Sequence, residues 1–201
     1  LLLQNESVCR KWGAFDARHK IIPTICYRLV IITSIERDAI CDVLSVVRPN
    51  SLINEIIVID SKVQGKFAPE SIADSLAKAS LLSEIGAILL TRGGGSTDDL
   101  SCFNQIEVLR EIFNSPYPII TAIGHKRDIS LSDRIADHNA ITPTDAGKYL
   151  CRVDRNDVVS RVNTYLETIV DIYQRIIERF QRELDIRKQR LQHYSPVNQL
   201  N

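Results

Sequence analysis

Arg92 stands immediately before three glycines, Gly93, Gly94 and Gly95, and Ser96, Thr97, Asp98 and Asp99 follow. Glycines let a backbone approach a ligand closely and take up positive φ. If this turn opens a helix, the free N–H groups of the first turn favour an anion. A guanidinium at the entrance adds a planar fork suited to phosphate. The competing reading is an ordinary tight strand-to-helix turn. Further along, Ala122-Ile123-Gly124 leads into His125, Lys126, Arg127 and Asp128. His125 and Asp128 are three apart, so on a helical turn they share a face. A carboxylate beside an imidazole fixes its tautomer and raises its basicity, the usual preparation of a general acid or base. Two alternatives stay open: a surface histidine with an incidental neighbour, and a metal pair for which Asp137-His138 would be a weak supplement. A third acid, Asp42, lies one helical turn beyond Asp38 after the segment Thr33-Ser34, and by itself reads as a solvated helix residue. Thr142-Pro143-Thr144-Asp145 reads as a structural corner with a helix cap.

Groups this far apart in sequence need a scaffold that gathers them. Apolar, β-branched runs at residues 29–33, 55–60, 86–91 and 118–122 have the length and near-continuous hydrophobicity of buried parallel strands. Between them, residues 37–47, 69–82 and 98–113 carry helical stripes. The first places Ile40, Val43, Leu44 and Val47 on one side, and the second opens with Pro69 and Glu70. Residues 1–20 are mixed, with a linker helix ending over 11–15. The alternation predicts an α/β domain: an open, mostly parallel sheet of Rossmann- or flavodoxin-like type flanked by helices, over residues 1–150. In such sheets ligands bind beyond the carboxyl ends of the strands, where Arg92 and His125 are expected.

Residues 151–195 differ. Val159, Val162, Leu166, Ile169, Tyr173, Ile176 and Phe180 recur at heptad spacing and continue less regularly through Leu184, Arg187 and Leu191. Asp154 or Asn156 can cap the start and Pro196 stops the helix. A coiled-coil-type helix of about 39 residues would be about 58 Å long. Its apolar seam calls for a partner helix, or else a fold back onto its own domain.

The chain of 201 residues is 44% hydrophobic and 25% charged, with a formal net charge of zero. That composition suits a globular domain. An autonomous nucleic-acid binder is usually basic, so any grip on nucleic acid is expected to lie largely elsewhere. Five scattered cysteines with no C-x-x-C pair argue against a disulfide scaffold or a zinc site and fit a reducing cytoplasm. There is neither a secretory-leader pattern nor an apolar run long enough for a membrane span. The sequence has no methionine, which suggests an internal fragment.

Five segments, in order, carry a family resemblance. RGGGSTDDLSCFN (92–104) resembles the RGGGS-x-x-DL-x-x-FN signature of exodeoxyribonuclease VII large subunits. AIGHKRD (122–128) is similar to the family's A-V-G-H-E-x-D. ITS (32–34) with Ala39 and Asp42, VQGKFAPESI (63–72) and ADHNAITPTDA (136–146) resemble three further motifs. The resemblance implies hydrolysis of single-stranded DNA from either end to short oligonucleotides, with no strict cofactor requirement although Mg2+ is admitted. It implies catalytic roles for Asp42, Arg92, His125 and Asp128. Phosphate or DNA contacts would come from Gly93, Gly94, Gly95, Ser96, Lys126 and Arg127. The small subunit would assemble on residues 155–192, and self-association through the same helix is a second use of the seam. Lys126-Arg127 replace the family's glutamate, Asn139 replaces an arginine, and a glycine is missing over 35–38. The family's N-terminal OB-fold is expected to lie outside this chain, and its helical arm to be shortened, ending near residues 191–196. Two other classes compete: a non-catalytic scaffold subunit, and a nucleotide-binding α/β enzyme, against which stands the lack of G-x-G-x-x-G after the first strand.

Overall fold

The computed structural model describes residues 2–16, 19–36, 38–92, 100–124 and 129–193. Helix α1 (Leu2–Lys11) is followed by β1 (Arg28–Thr33), α2 (Ala39–Asn50), β2 (Glu55–Asp60), α3 (Ala68–Ser80) and β3 (Ala87–Thr91). A 3-10 turn (Ser101–Asn104), α4 (Ile106–Asn114), β4 (Ile119–Ala122), α5 (Leu131–Ile135), β5 (His138–Asn139), α6 (Pro143–Leu150) and α7 (Arg155–His193) complete the order. The chain divides into two compact units, Leu1–Arg155 and Asn156–Asn201.

In the first unit the five strands form one sheet, in the order β2-β1-β3-β4-β5, with every pairing parallel. This is the flavodoxin-type order anticipated above. Handedness explains the layers. The step from β1 to β2 runs one way across the sheet and every later step runs the other way. Right-handed crossovers therefore send α2 to one face and α3 and α4 to the opposite face. Side chains alternate accordingly. Val30, Ile32, Ile88, Leu90 and Ile119 pack with Ile72, Leu76, Phe103, Leu109 and Ile112. Leu29, Ile31, Ala87, Leu89, Ile120 and Ala122 pack with Val43, Val47, Ala146 and Leu150. Gly147 lets α6 lie close to α2, because a Cβ there would come within 3.2 Å of the Val46 Cβ.

Four strands fall where the apolar runs place them, to within one residue. The fifth, only two residues long, carries no pattern. Helix α1 is the expected linker helix and ends at Lys11, inside the expected span 11–15, but its start carries no pattern in the sequence. Its buried positions are Asn5 and Cys9, and the Asn5 side chain donates to the Asn104 carbonyl at 2.8 Å. Helix α2 runs three residues beyond the expected end, through Pro49 in its last turn. The single helix expected over 98–113 is corrected to the 3-10 turn plus α4, separated by an extended Gln105. The cause is Asn104. Its amide donates to the Leu100 carbonyl at 3.3 Å and its Oδ1 accepts from the Leu131 N–H at 2.6 Å, bonds that compete with a continuous helix. Thr142 caps α6 as expected, accepting from the Asp145 N–H at 3.1 Å.

Helix α7 has 39 residues, none of them buried. Its seam residues are about half exposed, from Ile176 at 46% to Tyr173 at 65%. Glu183 occupies the heptad position after Phe180, and the next apolar residue is Leu184, four on. This inserted step is a stutter, which locally unwinds a left-handed supercoil. Among the described residues no helix is long and apolar enough to cross a membrane. All five cysteines are free thiols.

Phe103 is fully buried at the centre of one core, so Phe103→Ala should cost about 3–5 kcal/mol in urea unfolding. His138 stacks on Tyr149 with ring centroids 3.7 Å apart and planes at 13°. Burial lowers its pKa below 6.5, as does Arg152 more weakly, while Asp145 opposes the shift. The unfolded chain therefore binds the extra proton more readily. His138 contributes stability that is complete above the unfolded pKa and is lost as pH falls through about 6.5 towards the lowered folded value. The urea midpoint should drop over that interval, and His138→Phe should flatten the drop.

Candidate functional site

The carboxyl ends of the strands form a level edge. Thr33 pairs with Asp60, Ile32 with Leu90 and Thr91 with Ala122. Ser34, Ser61, Arg92 and Ile123 are therefore the first residues beyond the sheet on four neighbouring strands. Between β1 and β3 the chain leaves in opposite directions, which opens the crevice where open α/β sheets hold their ligands.

Asp42 sits in the first turn of α2, directly after the β1 loop, and is exposed. Its backbone N–H bonds to the Asp38 carbonyl at 3.0 Å, and its own carbonyl accepts from the Ser45 hydroxyl at 2.8 Å. A carboxylate in a first turn is favoured by the helix dipole. The β1 loop is braced by Asp60, whose Oδ1 accepts from the Ile35 N–H at 3.1 Å. That brace is invisible in sequence, since nothing in the spacing of Asp60 marks it as a loop support.

Arg92 is half-buried at the tip of β3. The Ala122 carbonyl accepts two bonds there, from the Arg92 N–H at 3.3 Å and from the Thr91 hydroxyl at 3.0 Å. The tips of β3 and β4 are thus locked together just before the glycine-rich and histidine-bearing segments depart. Gly93, Gly94, Gly95 and Ser96 lie outside the described residues, as do His125, Lys126, Arg127 and Asp128.

Beyond those segments the chain is locked a second time. Asn104 accepts from the Leu131 N–H as described above, and the Ser132 hydroxyl donates to the Phe103 carbonyl at 2.5 Å. Ser130 and Asp133 close a reciprocal capping box at the start of α5: Ser130 Oγ accepts from the Asp133 N–H at 3.1 Å, and Asp133 Oδ2 accepts from the Ser130 N–H at 2.9 Å. The two segments therefore begin at one bonded pair of strand tips, and beyond them the end of the 3-10 turn is bonded to the start of α5. The Asn104–Leu131 and Phe103–Ser132 ties span 27 and 29 residues, so no local sequence signal announces them.

The Asp137-His138 pair is engaged elsewhere. Asp137 Oδ2 accepts from the Ile119 N–H at 2.8 Å, at the amino end of β4, and lies 3.7 Å from the Lys20 ammonium. His138 is in β5, stacked on Tyr149. Both are therefore committed to packing, at the edge opposite the crevice in the case of Asp137.

The family model for the exonuclease VII large subunit matches residues 14–201. Among similar proteins, the exodeoxyribonuclease 7 large subunit of Hamiltonella defensa subsp. Acyrthosiphon pisum is 38% identical over 154 residues, which is 76% of this chain and 34% of that protein. Its counterpart in Listeria monocytogenes serotype 4b is 32% identical over 200 residues, covering 99% of this chain and 44% of the relative. The Nitrosomonas eutropha protein of the same name is 36% identical over 182 residues, 90% of this chain and 40% of its own length. The chain spans less than half the length of these relatives. With a match over nearly its whole length and an open parallel sheet whose crevice is edged by Arg92 and Asp42, this chain belongs to the exonuclease VII large-subunit family.

Proposed function

We propose that this chain is a phosphodiester-hydrolysing core acting on single-stranded DNA, exonucleolytically from either end and yielding short oligonucleotides in the cytoplasm. The observation that carries this reading is the double lock. The glycine-rich segment that follows Arg92 and the segment bearing His125 spring from one bonded pair of strand tips beside the crevice. In the reaction, water attacks phosphorus and the bond from phosphorus to the leaving sugar oxygen breaks. Arg92 binds and polarises the scissile phosphate, stabilising charge that grows in the transition state. Asp42 positions the water and takes its proton. His125, oriented by Asp128, gives a proton to the leaving oxygen. Amides of Gly93, Gly94 and Gly95 with the Ser96 hydroxyl, together with Lys126 and Arg127, hold flanking phosphates. The four catalytic groups supply this chemistry without a strictly required cofactor, and Mg2+ is an accessory.

Helix α7 supports a second role, as the seat of the small subunit over residues 155–192. Its seam is apolar and about half exposed from Val159 to Phe180, as a helix awaiting partners would be. Self-association through the same seam would use the same surface.

Degradation of labelled single-stranded DNA, in EDTA and in Mg2+, with and without the small subunit, tests both roles. Arg92→Ala and His125→Ala should each lower the rate by about a hundredfold or more while small-subunit binding persists. Full activity in both variants overturns the catalytic assignment. No cleavage by the unaltered chain, with small-subunit binding intact, leaves the scaffold role. Asn104→Ala should lower kcat more than KM and reduce stability by about 1–3 kcal/mol, because the Leu131 N–H loses its acceptor. Unchanged kinetics would separate the second lock from catalysis.

A further inference from the structure

The loop after β2 presents a group that the reaction above does not use. Phe67 is 61% exposed, at the position just before α3. An isolated exposed aromatic needs no explanation, but this one is held in a defined setting. Val63 and Ala68, on either side of the exposed stretch 64–67, are both buried. Gly65 turns the chain with φ +83°, a conformation costly for other residues, and its carbonyl accepts from the Ala68 N–H at 3.1 Å. The Ser71 hydroxyl accepts from the Lys62 N–H at 3.0 Å and lies 3.2 Å from the Ser61 hydroxyl, while the Ser71 N–H bonds to the Phe67 carbonyl at 3.2 Å. The backbone that carries the ring is thus held in place, and little backbone ordering entropy is left to lose when something stacks on the ring.

Two lysines flank Phe67. The Lys62 ammonium is 5.6 Å from the ring centroid, and Lys66 is the exposed neighbour in sequence. Of the nearest acids, Asp60 is bonded to the Ile35 N–H and Glu70 lies in the first turn of α3. Ser61 is level with Arg92 on the carboxyl edge, and two strand spacings of about 4.8 Å put these tips about 10 Å apart. The Cys102 thiol, in the 3-10 turn that ends the glycine-rich stretch, reaches back to the Val63 carbonyl at 3.6 Å.

We propose that Phe67, with Lys62 and Lys66, is a stacking platform that holds one base of a single strand beside Arg92. The proposal rests on the single-stranded DNA reading. Aromatic stacking tolerates any base, because every base has a π-face, and lysines beside the ring meet the backbone phosphates.

The test is fluorescence anisotropy of the full chain with cleavage-resistant phosphorothioate oligothymidylate, and with an abasic strand of equal length. Phe67→Ala should weaken thymidylate binding at least fivefold and leave abasic binding unchanged, and Phe67→Trp should restore affinity. Lys62→Ala with Lys66→Ala should make the salt dependence shallower. Equal loss on both strands, or no loss, overturns the stacking platform while wild-type binding keeps the DNA reading. An unchanged salt slope removes the lysines from the site. Failure of the wild-type chain to bind either strand overturns the platform and the DNA reading together.

Discussion

The Ala122 carbonyl accepts from both the Thr91 hydroxyl and the Arg92 N–H, and the candidate site depends on that double acceptance. A parallel ladder ends wherever its strands diverge, and past that point each chain is free to choose a direction. Bonding the last residue of β3 and the first beyond it to one carbonyl postpones the divergence until both chains clear the core. The Thr91 side chain is fully buried, so its hydroxyl must find a partner within the protein, and Ala122 is that partner. The residues that follow thus start from a common origin fixed by an apolar sheet, which places chemistry on a rigid base rather than on loop conformation alone.

How much of this was legible in the sequence follows from where each interaction reaches. The strands were legible because Leu29, Ile31, Leu89 and their neighbours are buried on both faces, and a run of β-branched and leucine residues has few other uses. Arg92 was legible as a strand-tip residue because it adjoins such a run. Helix α1 was legible only at its end, because its inward side is Asn5 and Cys9, with the asparagine bonded to a carbonyl 99 residues away. The break at Gln105 was hidden for the same reason. Asn104 looks like any helix residue until Leu131 is beside it. The expected roles of His125 and Asp128 rest on their spacing and on resemblance, and those two residues lie outside the described part of the chain.

The two faces of the sheet divide labour. The face with α2 and α6 closes tightly, with Gly147 giving up its side chain so that Val46 can approach. The opposite face holds Phe103, whose 3-10 turn is packed into the core on one side and tied to α5 on the other. Stability and site geometry are coupled there, because the residue that fills the core also fixes where the glycine-rich stretch must end. The other face bears α2, whose first turn supplies Asp42 and whose buried stripe of Ala39, Val43 and Val47 sets the angle at which it leaves the edge.

Helix α7 carries its own measuring mark. From Val159 to Phe180 the apolar residues keep the phase of a left-handed supercoil, and the four-residue step to Leu184 advances that phase by a fraction of a turn. A neighbour with an uninterrupted heptad can stay in contact only up to Phe180 and then slides off the seam. A neighbour with a matching step stays in contact throughout, but in one alignment only. For any helix laid along this repetitive surface, the irregularity would act as a vernier that distinguishes one offset from the others.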